Sequence, residues 1–208
     1  MGQYFENVDL PSRIVEFETK VYGISFKFKT DNGVFSKEKL DFGTRVLLEN
    51  IPVKELSGDV LDLGCGYGAV SIILSKLTNE NEITFDAVDV NKRALHLAEM
   101  NKKLNYCNNI NFFESFCYEN VDKKYDYIIT NPPIRAGKDV VYEMLRSAKD
   151  YLKQNGTLYF VMRKDHGAKT AIKDISDLYN CEVICKEKGF FVIKCFLHWQ
   201  LELSVLII

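Results

Sequence analysis

The segment Leu61-Asp62-Leu63-Gly64-Cys65-Gly66-Tyr67-Gly68 decides the fold that this 208-residue sequence predicts. A short apolar run over 60–63 leads directly into three alternate glycines, which let a backbone turn sharply and approach a ligand closely. The third glycine comes one residue earlier than in the dinucleotide fingerprint, and no Gly-Lys-Ser/Thr follows to make a P-loop. The segment predicts a strand, a ligand-binding turn and a helix. Taken alone, it would also suit a tight turn that binds nothing.

Strand and helix patterns alternate along the chain on the C-terminal side of this turn. Strands are predicted over 60–63, 82–88, 110–114, 125–130, 158–162, 181–186 and 190–195, and helices over 37–50, 68–77, 92–105, 138–153 and 167–179. This order predicts an α/β fold with a doubly wound, mostly parallel, seven-stranded Rossmann-like sheet. The short turn around Lys188-Gly189 makes the last strand antiparallel.

Period-two patterns occur at both ends of the chain. Residues 15–20 and 24–29 alternate apolar and polar side chains around Tyr22-Gly23, which predicts an N-terminal β-hairpin. Residues 197–204 alternate in the same way, which favours a half-buried strand over a membrane span. We expect one domain over 1–208, with a hairpin extension over 1–36, a core over 37–195 and an atypical apolar tail over 196–208.

The composition excludes several classes of protein. The formal net charge of −2 gives no overall positive field, so any contact with nucleic acid must come from local basic patches. Six cysteines are present, at positions 65, 107, 117, 181, 185 and 195. They form no Cys-x-x-Cys pair and do not cluster with the three histidines, so we expect no metal site. No apolar signal segment begins the chain, and we expect a cytoplasmic protein with reduced cysteines and no disulfides.

Asp89 follows the second strand of the predicted sheet, roughly 20 residues beyond the glycine turn. A carboxylate at this position accepts hydrogen bonds from both hydroxyls of a ribose. The alternative is an N-cap for the helix that begins near Lys92, a role that Asn91 could serve instead. The glycine turn and Asp89 together predict an adenosine-like cofactor.

Asn131-Pro132-Pro133 follows the fourth predicted strand. The two prolines fix φ and remove two donors, so the segment is rigid and its carbonyl groups remain free to accept. With the Asn131 amide oxygen, such carbonyls would hold an –NH₂ group by its hydrogens and aim the nitrogen lone pair at a sulfonium methyl group. The alternative is a rigid turn from strand to helix.

Six segments together resemble the small-domain family of class I S-adenosylmethionine-dependent methyltransferases, over roughly residues 4–194. They are residues 30–36, 41–44, 62–68, 89–94, 131–138 and 188–194. The resemblance is nearest to the members that methylate guanine N2 in small-subunit ribosomal RNA. It implies an rRNA guanine-N2 methyltransferase that uses S-adenosylmethionine.

The resemblance also implies roles for individual residues. Asn131 and Pro132 would be catalytic, by binding the target amino group. The cofactor would be bound by Asp62, Gly64, Gly66, Gly68, Asp89, Ser115, Phe116 and Asn131, and the substrate by Phe35, Ser36, Pro133, Ile134, Arg135 and Lys138. Phe116 replaces an aspartate that the resemblance leads us to expect as acceptor for the adenine amino group. The alternatives are a lower cofactor affinity, or substitution by Ser115 or a backbone carbonyl.

We expect RNA as the partner, either small-subunit rRNA or an assembling ribosomal subunit. We expect the protein to bind no membrane and no metal, and to be a monomer or a homodimer. Basic groups that could face RNA are Lys20, Lys27, Lys29, Lys37, Lys39, Arg135, Lys138, Arg163, Lys164, Lys169 and Lys173. Asn-Pro-Pro also serves protein glutamine and DNA adenine amino-methyltransferases, although Ile134 stands where an aromatic often follows in those enzymes. A third alternative, suggested by Phe116, is a non-catalytic module that binds ribosome precursors.

Overall fold

Nine strands and five helices make up the regular structure of the computed structural model, which describes residues 11–198. The strands are β1 (Val15–Val21), β2 (Ile24–Thr30), β3 (Gly58–Leu63), β4 (Ile83–Asp89), β5 (Ile110–Glu114), β6 (Tyr125–Thr130), β7 (Leu152–Arg163), β8 (Tyr179–Glu187) and β9 (Phe190–Leu197). The helices are α1 (Phe42–Asn50), α2 (Ala69–Leu77), α3 (Lys92–Leu104), α4 (Lys138–Tyr151) and α5 (Ala168–Asp174).

Seven of the strands form one sheet in the order β5-β4-β3-β6-β7-β9-β8. Only β9 runs antiparallel to its neighbours β7 and β8, as the sequence predicts. From β3 the chain winds outward through β4 and β5, then returns to place β6 on the other side of β3. In open α/β sheets ligands bind at the strand carboxyl ends near such a reversal. The predicted fold is confirmed.

The N-terminal hairpin packs on α3 beside the sheet. β1 and β2 pair in antiparallel register and bury Phe26 and Phe28. The Asn101 side chain fixes the hairpin: its Oδ1 accepts from the Lys29 N–H at 2.7 Å, and its Nδ2 donates to the Lys29 carbonyl at 2.9 Å and to the Tyr67 carbonyl at 3.0 Å. One buried amide therefore joins the hairpin to the glycine turn.

Three element boundaries differ by five residues or more from those predicted. α1 begins at Phe42 and not at 37, because Asp41 caps it by accepting from the Thr44 N–H. β7 begins at Leu152, where the strand pairs with Tyr125 before an irregularity in the ladder. α5 ends at Asp174, since the chain then turns into β8.

The expectation that the cysteines are all reduced is wrong for one pair. Cys181 on β8 and Cys195 on β9 lie directly opposite each other, with Cα atoms 4.1 Å apart, and form a disulfide. The sequence separation of 14 residues does not reveal this neighbourhood, which depends on the register of the hairpin. Cys65, Cys107, Cys117 and Cys185 are free thiols.

Two further findings concern only residues 11–198. No helix there has the length and apolar character that crossing a membrane requires. No group of three His, Cys, Asp or Glu side chains in the same range is arranged to hold a metal ion. The strand predicted over 197–204 falls outside the described residues from position 199 onward.

Candidate active site

A cavity of about 320 Å³ opens at the carboxyl ends of the central strands, a volume typical of small-ligand sites. It is lined by residues at or just after the carboxyl ends of β3, β4, β5, β6 and β7, by the segment that leads into α1, and by the start of β9. These include Phe35, Asp41, Thr44, Asp62, Gly64, Gly66, Asp89, Ser115, Phe116, Asn131, Pro132, Pro133, Ile134, Arg135, Arg163, His166 and Phe190. The fold thus brings together most of the residues singled out from the sequence.

The glycine turn is held against β4 by its backbone. The N–H groups of Gly64 and Cys65 both donate to the Val88 carbonyl at 2.9 Å. Gly66 has φ +55°, and a Cβ there would meet no heavy atom within 4 Å, so its Cα faces open space. A ligand could therefore approach the backbone closely at this glycine.

Gly68 has a packing role. Its φ is +85°, and a Cβ there would lie 2.9 Å from the Phe112 ring and 3.2 Å from Ala98. It precedes α2, and it is absent from the residues described as lining the cavity. The structure therefore places the third glycine where a helix packs closely on the sheet.

Asp89 ends β4 with both carboxylate oxygens engaged. Oδ2 accepts from the Gly66 N–H and Oδ1 from the Asn91 N–H, each at 2.8 Å. The cap of α3 is instead Asn91, whose side chain accepts from the N–H groups of Arg93 and Ala94. Burial raises the pKa of Asp89. The alternative role of Asp89 as an N-cap is thus filled by Asn91, and its carboxylate lies at the cavity wall.

Asp62 is a second carboxyl group beneath the turn. Its side chain is 2% exposed and accepts from the Ser71 N–H at 3.0 Å. Burial, with the charge of nearby Asp89 adding to it, raises the pKa of Asp62 to about 7. Two carboxyl groups thus lie at one wall of the cavity, with Asp62 buried and Asp89 partly exposed.

In the turn after β5, the Ser115 hydroxyl makes its hydrogen bonds within the turn itself. The Ser115 hydroxyl donates to the Cys117 carbonyl at 3.0 Å and accepts from the Asn120 N–H at 3.1 Å. Phe116 lines the cavity and is 37% exposed. The wall expected to meet an adenine ring thus presents an aromatic side chain.

Asn131 ends the β6 segment with a defined amide orientation. Its Nδ2 donates to Asp41 Oδ2 at 3.0 Å and to Thr44 Oγ1 at 2.9 Å. Among the described residues no donor pairs with the Asn131 Oδ1, so this oxygen remains to accept from a ligand. Pro132, buried beside it, has no backbone donor.

The amino end of α1 forms the neighbouring wall with residues that sequence reasoning gave no role. A Cβ on Gly43 would lie 2.7 Å from Cε1 of Phe190, so the ring packs directly on the helix backbone. Phe190 also meets Phe42 edge-to-face at 5.6 Å, with the Arg163 guanidinium 5.5 Å from its centroid. The segment 41–44 was available as a signal, because Asp41 is a favoured N-cap residue just before a helical pattern.

Some predicted substrate residues lie elsewhere. Neither Ser36 nor Lys138 is among the residues that line the cavity. The Ser36 hydroxyl donates to the Lys39 carbonyl, and Lys138 begins α4 on the surface. Several predicted basic groups have acidic partners, since Lys27 pairs with Glu18, Lys29 with Glu16 and Arg163 with Asp165. These pairs reduce the positive charge available for RNA.

Comparison with known proteins assigns the family. Residues 25–194 match the methyltransferase small domain. The chain belongs to this family. The uncharacterized protein YbxB of Bacillus subtilis is 36% identical to this methyltransferase over 194 residues, which cover 92% of the chain and 96% of the relative. Ribosomal RNA small subunit methyltransferase C of Colwellia psychrerythraea is 30% identical over 183 residues, 86% of the chain and 50% of the relative.

A solved structure is similar to this small-domain methyltransferase throughout its fold. The T. thermophilus 16S rRNA N2 methyltransferase, solved with AdoMet and guanosine, superposes with a TM-score of 0.78 at 22% identity, covering 93% of the chain and 53% of that structure. The chain therefore spans about half the length of these two named rRNA enzymes. The predicted enzyme class, methyltransferase, and the predicted cofactor, S-adenosylmethionine, are confirmed.

The residues of the cavity fit this cofactor. The Asp89 carboxylate can accept from ribose hydroxyls, and the open space at Gly66 admits a ligand against the backbone. Asp62 supports the turn from beneath through the Ser71 N–H, so the wall that would meet the cofactor is formed by Asp89 and the glycine backbone.

Proposed function

We propose that this methyltransferase modifies an exocyclic amino nitrogen of a base in RNA, namely guanine N2 in small-subunit rRNA. The observation that carries the proposal is the orientation of Asn131. Its Nδ2 is committed to Asp41 and Thr44, so its Oδ1 is the atom presented to an acceptor. An amide oxygen beside a proline carbonyl suits an –NH₂ group, which offers two hydrogens.

The chemistry that these residues perform is orientation. Bound S-adenosylmethionine supplies a methyl group made electrophilic by its positively charged sulfur. Asn131 Oδ1 and the Pro132 carbonyl accept from the two amino hydrogens and thereby direct the nitrogen lone pair towards the cofactor side of the cavity. The extra proton leaves to water after transfer, so no strong side-chain base is needed.

Cofactor binding is assigned to the turns after β3, β4 and β5. Asp89 would accept from the ribose hydroxyls, and the backbone at Gly64 and Gly66 would contact the cofactor, with Asp62 supporting the turn from beneath. The Ser115 hydroxyl is satisfied within its own turn, so we assign the adenine contact to the ring of Phe116. Stacking on an aromatic ring then replaces the hydrogen bond that an aspartate makes in relatives.

RNA contact is assigned to the cavity mouth. Phe35 is 47% exposed there and would stack on a base drawn out of its helix, beside Pro133 and Ile134. Arg135 lines the mouth, and Lys138 with Ser36 would reach the RNA backbone farther out. The choice of small-subunit rRNA is supported by the name of the C. psychrerythraea relative, and the choice of guanine N2 by the T. thermophilus 16S rRNA N2 methyltransferase.

Labelled methyl transfer into undermethylated small-subunit rRNA, followed by nucleoside analysis, tests the proposal. We expect N2-methylguanine as the product. Label in adenine, or in the glutamine of a protein substrate with none in RNA, would contradict it. Calorimetry that detects no binding of S-adenosylmethionine at millimolar concentration would favour the non-catalytic module instead.

The variant Asn131→Ala separates chemistry from cofactor binding. It should lose methyl transfer while binding S-adenosylmethionine almost as the wild type does. Asn111→Ala is the matched control, because Asn111 hydrogen-bonds Asp86 on the exposed part of β5 and does not line the described cavity. The control should retain both properties. An equal loss of binding and turnover in Asn131→Ala would contradict the role given to Asn131.

A further inference from the structure

We propose that Asp41 is a positioning residue: with Thr44, it fixes the Asn131 amide so that Oδ1, and not Nδ2, meets the acceptor amino group. This inference rests on the proposed function, since it concerns how the same site holds its acceptor. Asp41 lies at the amino end of α1, 90 residues before Asn131 in sequence.

The oxygen and the NH₂ group of an asparagine amide are nearly equal in shape, but the oxygen accepts hydrogen bonds and the NH₂ group donates them. A carboxylate can only accept, so Asp41 Oδ2, 3.0 Å from Asn131 Nδ2, requires the NH₂ group of Asn131 to point towards it. Thr44 reinforces the choice. Its hydroxyl donates to the same Asp41 oxygen at 3.3 Å, so Oγ1 is left to accept from Asn131 Nδ2 at 2.9 Å. If the amide turned over, an N–H donor would face the donor hydrogens of the acceptor.

Asp41 is itself held in place by the helix. The same Oδ2 accepts from the Thr44 N–H at 2.9 Å, as the side chain of a helix N-cap does. Gly43 allows the ring of Phe190 to pack against this first turn, which fixes the helix end beside β9. The residues of the 41–44 segment therefore act together. Asp41 and Thr44 orient Asn131, and Gly43 leaves room for the Phe190 ring that holds this end of the helix in place.

Two pairs of variants separate orientation from helix capping. Asp41→Ser keeps a capping oxygen but is too short to reach Asn131 as well, while Asp41→Asn can leave an amide oxygen where Oδ2 lies. Thr44→Val removes the second acceptor, and Thr44→Ser keeps it. We expect Asp41→Ser to lower kcat roughly 100-fold and Thr44→Val to lower it less. Asp41→Asn and Thr44→Ser should stay within about tenfold of the wild type.

All four variants should bind S-adenosylmethionine and melt close to the wild type. Ser and Asn cap helices nearly as well as Asp, and the Thr44 variants keep the backbone N–H that Asp41 caps. The loss should therefore appear in kcat. Wild-type kcat in Asp41→Ser would overturn the proposal. So would an Asp41→Asn variant as inactive as Asp41→Ser, because that result would mean that the charge of Asp41, and not its accepting oxygen, is required.

A readout independent of turnover separates this inference from the proposed function. In the ¹H–¹⁵N spectrum, the Asn131 side-chain amide is identified as the pair of signals missing from Asn131→Ala. Its protons should exchange slowly in the wild type and in Asp41→Asn, and rapidly in Asp41→Ser. Unchanged exchange in Asp41→Ser would refute the inference whatever the substrate is. Absence of RNA methylation by the wild type, with the expected exchange pattern, would refute only the proposed function.

Discussion

The Gly66 N–H donates to Asp89 Oδ2 at 2.8 Å, which joins the glycine-rich turn to the end of the neighbouring strand. The second carboxylate oxygen accepts from the Asn91 N–H, at the point where α3 begins. Asp89 thus orders two backbone turns through its own hydrogen bonds. A carboxylate held in this way is ready to accept from further donors without reorganisation.

Replacement of Asp89 should weaken cofactor binding strongly. Asp89→Ala removes the ribose acceptor and releases the Gly66 N–H, and hydrogen bonds to a charged group contribute about 1.5–3 kcal/mol each. We expect the Kd for S-adenosylmethionine to rise by at least roughly tenfold in calorimetry. Glu114→Gln is the matched control: Glu114 is the register partner of Asp89 on β5, but its carboxylate pairs with Lys92 at the surface. Equal affinity in the two variants would contradict the assignment.

Replacement of Asp62 by an uncharged side chain should stabilise the protein at high pH. Burial raises its folded-state pKa from 3.8 to about 7, so the folded chain binds more protons than the unfolded chain between those values. The free energy of unfolding contributed by Asp62 therefore falls as pH rises through this window. Asp62→Asn keeps an oxygen for the Ser71 N–H and should be more stable than the wild type at pH 8, by up to roughly 4 kcal/mol.

The advantage of Asp62→Asn should shrink as pH is lowered, because the wild-type carboxyl group then takes up its proton. Urea unfolding at pH 8 and pH 5 measures the difference directly. A stability difference between the two proteins that does not change with pH would show that Asp62 titrates normally in the folded chain.

The sheet and the cofactor turn could be predicted from sequence because their signals are local. Alternating periodicities fix the order of strands and helices, and the glycines after β3 mark the turn within eight consecutive residues. Asp89 and Asn131 could be placed because parallel strands bring their carboxyl ends to one edge of the sheet.

The relationships that sequence could not supply join residues far apart in the chain. The contact between Asp41 and Asn131 spans 90 positions and depends on where α1 docks. The Cys181–Cys195 bond depends on a hairpin register that includes a shift between Val183 and Cys185. The ion pairs of Lys27 and Lys29 depend on cross-strand pairing in the N-terminal hairpin.

The contact between Gly43 and Phe190 predicts a coupled pair of substitutions. Gly43→Ala would bring a Cβ to 2.7 Å from the ring, and overpacking of this kind costs about 1–3 kcal/mol, offset in part by the better helix propensity of alanine. We expect net destabilisation in the wild-type background and none, or a gain, in a Phe190→Ala background. Urea unfolding of the four proteins in the double-mutant cycle gives the coupling. Additive effects would mean that the helix end does not press on the ring.

The disulfide predicts that part of the stability of the β8–β9 hairpin depends on oxidising conditions. Protein purified without reductant should show four reactive thiols after denaturation, from Cys65, Cys107, Cys117 and Cys185. Closing a loop of this separation contributes about 3 kcal/mol, so a phosphine reductant should lower the free energy of unfolding by that order. Cys181→Ser/Cys195→Ser should match the reduced wild type and ignore the reductant, whereas Cys185→Ser, on the same strand, should keep the full response. Six reactive thiols in the unreduced protein would contradict the bond.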